Sequence, residues 1–270
     1  VKVALAQFAA APGDAGRNAA RMAALVADAA RAGARLVLFP EMSDTAYAPS
    51  LFEAKASAWD APPLAALRAA ARDHRVAVLA GLSEKAEGRV FNSLAAIGPD
   101  GALLGRYRKA HLIPLEPNRE PQRFGAGADL LVLPLGGMSF GLSICYDLRF
   151  PELYRALMLR GAEVLVNVAA WPVVRAPAWE ILARARAVEN QAWFLGANGV
   201  GAPDSVPQAG RSCVVDPLGE VVAMASPDRE ELLFAEVSPD AVRNARKALP
   251  ARASRRPDLY GDVTRPDPPP

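Results

Sequence analysis

The sequence predicts an α/β protein built from two sheets with helices outside them, and three observations carry that prediction. Short apolar runs bounded by glycine, proline and charge recur along the chain, roughly a dozen of them, with about four or five alanine-rich helical stretches between. These elements fall into two alternating blocks separated by a long loop near residue 115, and two sheets covered by outer helices would bury both blocks. Several of the runs are almost wholly apolar, as strands are when both faces of their sheet are covered.

Residues 2–8 read as the first strand. Pro12-Gly13-Asp14 then turns the chain into a helix over about 18–32 that stops at Gly33. Residues 35–39 form the next strand, which ends in Pro40-Glu41, and the strand-helix-strand order asks for parallel pairing through a right-handed crossover. A helix over 63–74 and a strand over 76–81 repeat the cycle. Two strands near 89–97 and 102–107 flank the hairpin sequence Gly98-Pro-Asp-Gly101. Lys109 and His111 then enter a proline- and charge-rich loop that runs to Gly127, a length more often functional than decorative.

The second block opens with strands over 130–135 and 138–144 about Gly136-Gly137. Proline in its first turn starts a helix over 151–160, followed by a strand over 163–169. Residues 170–175 are a loop, 177–190 a long helix and 192–198 a strand. Strands over 212–216 and 220–224 surround the turn Pro217-Leu-Gly219, and 231–237 closes the sheet. Ser238-Pro239-Asp240 caps a last short helix. From Arg252 the chain turns basic and then proline-rich, ending Pro-Asp-Pro-Pro-Pro, so 1–251 reads as one domain and 252–270 as an extended or disordered tail.

Composition narrows the function. A chain of 270 residues, 51% hydrophobic and 22% charged, is long enough for a substantial core. Its 31 basic and 29 acidic side chains leave a formal charge of +2, which carries no nucleic-acid or membrane-surface footprint. Two cysteines far apart, Cys145 and Cys213, and a start that reads as a strand point to a reducing, cytoplasmic setting. With two histidines and those two cysteines scattered, a metal centre of the usual ligand types is not expected. Cys213 lies in an apolar strand and reads as core.

Cys145 lies where an apolar strand meets a polar turn, just before a helix. Ligands of sheet-and-helix proteins bind at strand ends, and a nearby helix N-terminus favours a thiolate, although a buried structural cysteine reads the same way. Glu41 and Lys109 also occupy a strand end and the adjoining loop. Together the three make a plausible catalytic trio: a carboxylate to take the thiol proton, an ammonium and the Tyr146 N–H to stabilise an oxyanion, and a sulfur nucleophile. Taken singly each signal is weak, since Pro-Glu at a strand end can be turn chemistry and a lysine after a strand is usually solvated. His111 offers a papain-like alternative partner for Cys145, but no residue can be assigned to orient it.

Phe39-Pro-Glu41, Arg108-Lys109-Ala-His-Leu and Gly141-Leu-Ser-Ile-Cys145-Tyr-Asp-Leu-Arg-Phe-Pro-Glu152, in that order, resemble the three signature blocks of the nitrilase superfamily, the carbon–nitrogen hydrolases. The similarity continues through Trp171-Pro, the stretch 179–191, Asp216-Pro-Leu-Gly-Glu220 and Arg255-Arg-Pro-Asp-Leu-Tyr260, nearly the whole chain. The resemblance implies a four-layer α-β-β-α sandwich, a Glu41-Lys109-Cys145 triad, no cofactor, and a homodimer or higher homo-oligomer with the tail packing at its interface. It also implies a second active-site glutamate. Glu120, seven residues before Gly127, is favoured over Glu116 for that place. Tyrosine after the cysteine looks like the amidase branch, especially the ω-amidase-like enzymes, which remove ammonia from small amides bearing a distant carboxylate. Arg175 could pair with that carboxylate, and Tyr47 and Trp171 could line the pocket. Carbamoyl amino acids and nitriles remain alternative substrates, and a catalytically silent binding protein on the same fold is the rival class.

Overall fold

The computed structural model describes residues 1–265, and in it the alternating pattern becomes two six-stranded sheets. The first block supplies β1 (Lys2–Gln7), α1 (Ala15–Arg31), β2 (Leu36–Phe39), a one-turn helix α2 (Phe52–Lys55), α3 (Pro62–His74), β3 (Ala77–Ala86), β4 (Arg89–Ile97) and β5 (Leu103–Arg108). A second one-turn helix, α4 (Glu120–Arg123), interrupts the loop expected to run unbroken to Gly127. The second block holds β6 (Val132–Leu135), β7 (Met138–Ile144), α5 (Pro151–Leu159), β8 (Val164–Ala169), α6 (Ala176–Asn190), β9 (Trp193–Asn198), β10 (Cys213–Val215) and β11 (Val221–Met224). The chain then closes with β12 (Glu231–Glu236) and α7 (Pro239–Ala248).

The sheet orders are β12-β1-β2-β3-β4-β5 and β11-β10-β9-β8-β7-β6. Each has three parallel central strands, β1-β2-β3 and β7-β8-β9, flanked by antiparallel neighbours. The last strand crosses back to the first sheet, where Lys2 pairs with Glu236 and Gln7 with Glu231.

Strand alternation sorts the apolar residues into layers. Val3, Leu5, Leu36, Leu38 and Leu79 face Phe140, Leu142, Val166 and Leu195 of the other sheet in one buried cluster. The odd-even partners Ala4, Ala6, Val37, Phe39 and Val78 point the other way, onto Met22 and Val26 of α1 and Leu64 and Leu67 of α3. On the far side, Trp179, Ala183 and Ala187 of α6 and Tyr154 and Leu157 of α5 cover the second sheet. The result is a four-layer α-β-β-α sandwich.

Local signals set the helix ends. The Asp14 side chain accepts from Arg17 N–H at the start of α1, the Ser238 hydroxyl accepts from Ala241 N–H at the start of α7, and α3 and α5 begin on proline. Over its described part the tail differs from the extended chain expected. Pro257–Leu259 and Gly261–Thr264 form 3₁₀ turns, and Arg255, Tyr260 and Val263 border a groove with Pro151, Arg155 and Leu159 of α5. Proline preset for helical φ starts the first turn, and apolar side chains within the tail give it something to place on α5. The remaining proline-rich end, 266–270, lies outside the described residues.

Candidate active site

Glu41 follows β2 through Pro40, and β3 holds it in place by backbone contact alone. A Cβ on Gly81 would lie 2.4 Å from Pro40 O and 2.6 Å from Glu41 Cα, so only glycine lets the strand pass this close. Ser43 N–H then bonds Gly81 O at 2.8 Å. The Glu41 carboxylate, in a residue 3% exposed, is fully engaged. Oε1 accepts from Asn92 Nδ2 (2.7 Å) and Lys109 Nζ (2.9 Å), and Oε2 from Ala170 N–H (2.9 Å).

Lys109 leaves the end of β5 with its backbone pinned at both groups: its N–H bonds Asn92 O at 2.9 Å and its carbonyl accepts from Gly127 N–H at 2.8 Å. Its ammonium is wholly buried between two carboxylates, 2.9 Å from Glu41 Oε1 and 2.8 Å from Glu120 Oε1. Burial alone would pull the lysine down, but the negative charges of Glu120 and Glu41 outweigh it and hold Lys109 well above its ordinary value. Glu120, the first residue of α4, also accepts from Tyr47 Oη (2.8 Å) and, through Oε2, from Ile113 N–H (2.7 Å). Burial pushes this carboxyl above the ordinary range against the pull of Lys109. Its three donors all demand an acceptor, so the ionised form is the one the geometry serves. Glu116, by contrast, sits in the outer loop, paired with Arg119 and well exposed.

Cys145 stands at the end of β7 with φ of +46°, the first residue of a 3₁₀ turn, Cys145–Arg149, that precedes α5. A non-glycine residue held left-handed marks a position the surroundings over-determine. The nearby helix end favours a thiolate, but the other surroundings oppose it. Burial, and then the charge of Glu41, push the Cys145 thiol well above its ordinary value, and Lys109 only partly offsets them. Tyr146 is the second residue of the turn, where the first amides have no partner within the turn. Cys213 is buried in β10 with its thiol pushed up to about 12 by burial, as a core residue should be.

His111 is engaged by Asp147 and Phe150. Its Nδ1 lies 2.8 Å from Asp147 Oδ1, its N–H bonds the same oxygen at 3.0 Å, and its ring stacks on Phe150 at 3.6 Å. Asp147 also accepts from Tyr107 Oη (2.7 Å) and Ile144 N–H (2.9 Å), so one buried carboxylate joins the lysine segment to the cysteine elbow.

A narrow cleft opens onto Cys145, with ≈ 50 Å³ of room for water-sized molecules, bordered by Tyr47, Ile113, Pro172, Arg175, Val206 and Gln208. Tyr47 and Arg175 are therefore where a pocket reading puts them. Trp171 is not. Its ring is buried against Trp179 at 5.7 Å, and its Nε1 donates to Arg175 O at 2.7 Å, so it braces the wall from behind because the adjoining Pro172 takes the surface position. Asn92 and the Ala170 amide are site groups that the sequence reading missed. Asn92 left a trace as a polar residue inside an apolar strand; a backbone amide leaves none. Among the described residues no group of three or more His, Cys, Asp or Glu is placed to hold a metal ion, and no helix is long and apolar enough to cross a membrane.

The sequence profile of the carbon–nitrogen hydrolase family matches residues 2–247. The chain belongs to that family. Among its relatives, omega-amidase NIT2-A of Xenopus laevis is 33% identical over 267 residues, 96% of each chain. The carbon–nitrogen hydrolase superfamily protein XC1258 of Xanthomonas campestris, solved with an arsenic adduct in its active site, superposes with a TM-score of 0.88 at 29% identity, covering 95% of this chain and 97% of that one. An amidase from Nesterenkonia sp. AN1, solved as a Glu-to-Gln mutant after Michael addition of acrylamide at the active site cysteine, gives 0.82 at 29% identity, over 94% and 99%. This carbon–nitrogen hydrolase thus stands among nitrilase-superfamily relatives and neighbours that are themselves amidases.

Proposed function

We propose that the chain hydrolyses a short amide bearing a distant carboxylate, ω-amidase fashion, through a thioester on Cys145. The observation that carries the reading is the sealed row Glu41–Lys109–Glu120 on one side of the Cys145 cleft, with Arg175 on its rim and in no ion pair among the described residues. A buried thiol beside a buried carboxylate suits proton transfer during attack rather than a standing thiolate.

As sulfur adds to the amide carbon, Cys145 gives its proton to Glu41. The oxyanion takes hydrogen bonds from the Lys109 ammonium and the Tyr146 N–H. The C–N bond then breaks, the nitrogen takes the proton from Glu41, and ammonia leaves a thioester. Water next gives a proton to Glu41 as its oxygen adds to the thioester carbon, and sulfur departs with that proton to restore the thiol and release the acid. Glu120 keeps Lys109 charged and aimed. The acrylamide adduct on the cysteine of the Nesterenkonia amidase supports the nucleophile, and the omega-amidase relatives support the substrate class.

A cytoplasmic homo-oligomer completes the proposal. Ile181 and Val188 on α6 and Leu218 beyond β10 are well exposed, and together with Val221 they form an apolar surface suited to a second copy.

The test is ammonia release from the mono-amide of a short dicarboxylic acid, with mass spectrometry of the protein during turnover. The expected adduct on Cys145 has the mass of the acyl group. Cys145→Ala should lose several powers of ten in kcat, and Lys109→Ala about 10²-fold or more. Turnover surviving in Cys145→Ala would end the proposal.

A further inference from the structure

Gln208 is built into the cleft in a way the reaction scheme does not use. Its backbone is clamped from two sides: its N–H bonds Gly201 O at 2.8 Å, and the neighbouring Ala209 N–H bonds Trp171 O at 2.8 Å while Val173 N–H bonds Pro207 O at 2.9 Å. The side chain packs onto bare backbone. A Cβ on Gly199 would fall 2.0 Å from Gln208 Oε1 and 3.0 Å from its Cδ, so glycine at 199 leaves the space that the carboxamide occupies. Nε2 would stand 3.7 Å from that Cβ, so Oε1 is the carboxamide atom set against Gly199 and Nε2 the one farther from it.

The half-buried carboxamide has no protein hydrogen-bond partner among the described residues, although its position is fixed at backbone and side chain. It borders two spaces at once. One is the cleft holding Cys145 and Arg175; the other is a smaller recess against Glu41, bordered by Ala46, Gly199 and Pro203, and Tyr47 borders both. A half-exposed polar group without a protein partner bonds water until a ligand displaces it, and a ligand that cannot replace those bonds loses affinity, so such a group discriminates between ligands that do and do not.

We infer that Gln208 is a specificity-determining residue whose Nε2, together with the Arg175 guanidinium, receives an oxygen-rich, anionic acyl chain in the Cys145 cleft. The inference rests on the amidase reading for its kinetics but not for its binding. Both groups are donors without protein acceptors, so the complementary ligand end is a carboxylate or a carbonyl beside one. A neutral hydrocarbon chain would leave Nε2 unpaired, and a cationic one would meet Arg175.

The experiment compares wild type, Gln208→Leu, Gln208→Glu and Gly199→Ala on two substrates of equal chain length, the mono-amide of a short dicarboxylic acid and the corresponding neutral amide. The ratio of kcat/KM values, anionic over neutral, should fall about 10- to 100-fold in Gln208→Leu and further in Gln208→Glu, where the new carboxylate repels the substrate. Gly199→Ala should shift the ratio the same way by displacing the carboxamide. Calorimetric binding of the free dicarboxylate should weaken in parallel, a readout that needs no turnover. A ratio unchanged in Gln208→Leu, or equal losses on both amides with unchanged dicarboxylate binding, overturns the inference. If wild type hydrolyses neither amide, the amidase reading fails, and the dicarboxylate titration still decides the role of Gln208.

Discussion

At the scale of single residues, the Cys145 thiol lies between opposing influences. Burial and the Glu41 charge raise it, and Lys109 lowers it. Replacing Glu41 by glutamine removes the second of the raising causes while leaving the lysine, so the thiol should ionise at lower pH in Glu41→Gln than in wild type. The mutant should therefore combine a loss of several powers of ten in kcat with faster alkylation by iodoacetamide at neutral pH. Rates of alkylation across pH 6 to 10 check this, and an identical or upward-shifted profile in the mutant would contradict the arrangement of charges. The three side chains of the proposed scheme, Glu41, Lys109 and Cys145, were legible in sequence because each ends an apolar run or follows one directly. Asn92, the side-chain partner of Glu41, was not, since 51 positions separate the two and nothing local reports the pairing.

At the scale of elements, the loop after β2 is fastened to β3 by a buried carboxylate. Asp44 accepts from Ser83 N–H at 2.9 Å and Ser83 Oγ at 2.5 Å, while Asn18 of α1 donates to its backbone carbonyl at 2.8 Å. Burial outweighs those bonds and raises Asp44 from the usual 3.8 to about 6. A carboxyl whose folded value is raised binds its proton more tightly in the native state, so its stabilising contribution is complete below about pH 4 and is lost as pH rises through about 6. The loss is at most about 3 kcal/mol. Asp44→Asn should remove this dependence, so that urea unfolding shows the variant gaining on wild type between pH 4.5 and 7. A difference between the two that stays flat with pH would refute the assignment. The elements themselves were readable because proline, glycine and capping residues stand at their ends. The one-turn α4 and the 3₁₀ turns of the tail were not, being too short to show a period. Trp171 reads in sequence as a pocket-lining or a packing aromatic alike, and only the packing of α6 behind it decides for the second.

At the scale of the whole molecule, the site lies on the seam between the two sheets. Glu41 and Lys109 come from the first, Cys145 and the Ala170 amide from the second, and the proposed reaction needs them in register. Two contacts cross that seam at the site. One is Ala170 N–H on Glu41, and the other is Asp147, which gathers Tyr107 and both donors of His111 from the first sheet and Ile144 N–H from the second. Because the carboxylate is wholly buried and accepts from four donors, no neutral isostere can satisfy them all: an asparagine presents one acceptor and turns an N–H₂ toward groups that donate. Asp147→Asn should therefore leave at least one buried donor unpaired and cost about 1–3 kcal/mol for each. Tyr107→Phe deletes a donor and leaves the carboxylate three partners, so its cost should be smaller. If the clasp also sets the distance between Lys109 and Cys145, kcat should fall in the same order, Asp147→Asn below Tyr107→Phe below wild type, with KM changed less than kcat because the cleft residues Tyr47, Arg175 and Gln208 do not touch Asp147. Thermal unfolding and steady-state kinetics on the same preparations test both halves. A destabilised Asp147→Asn with wild-type kcat well below its melting temperature would reduce Asp147 to a fastening of the sheets without influence on the site.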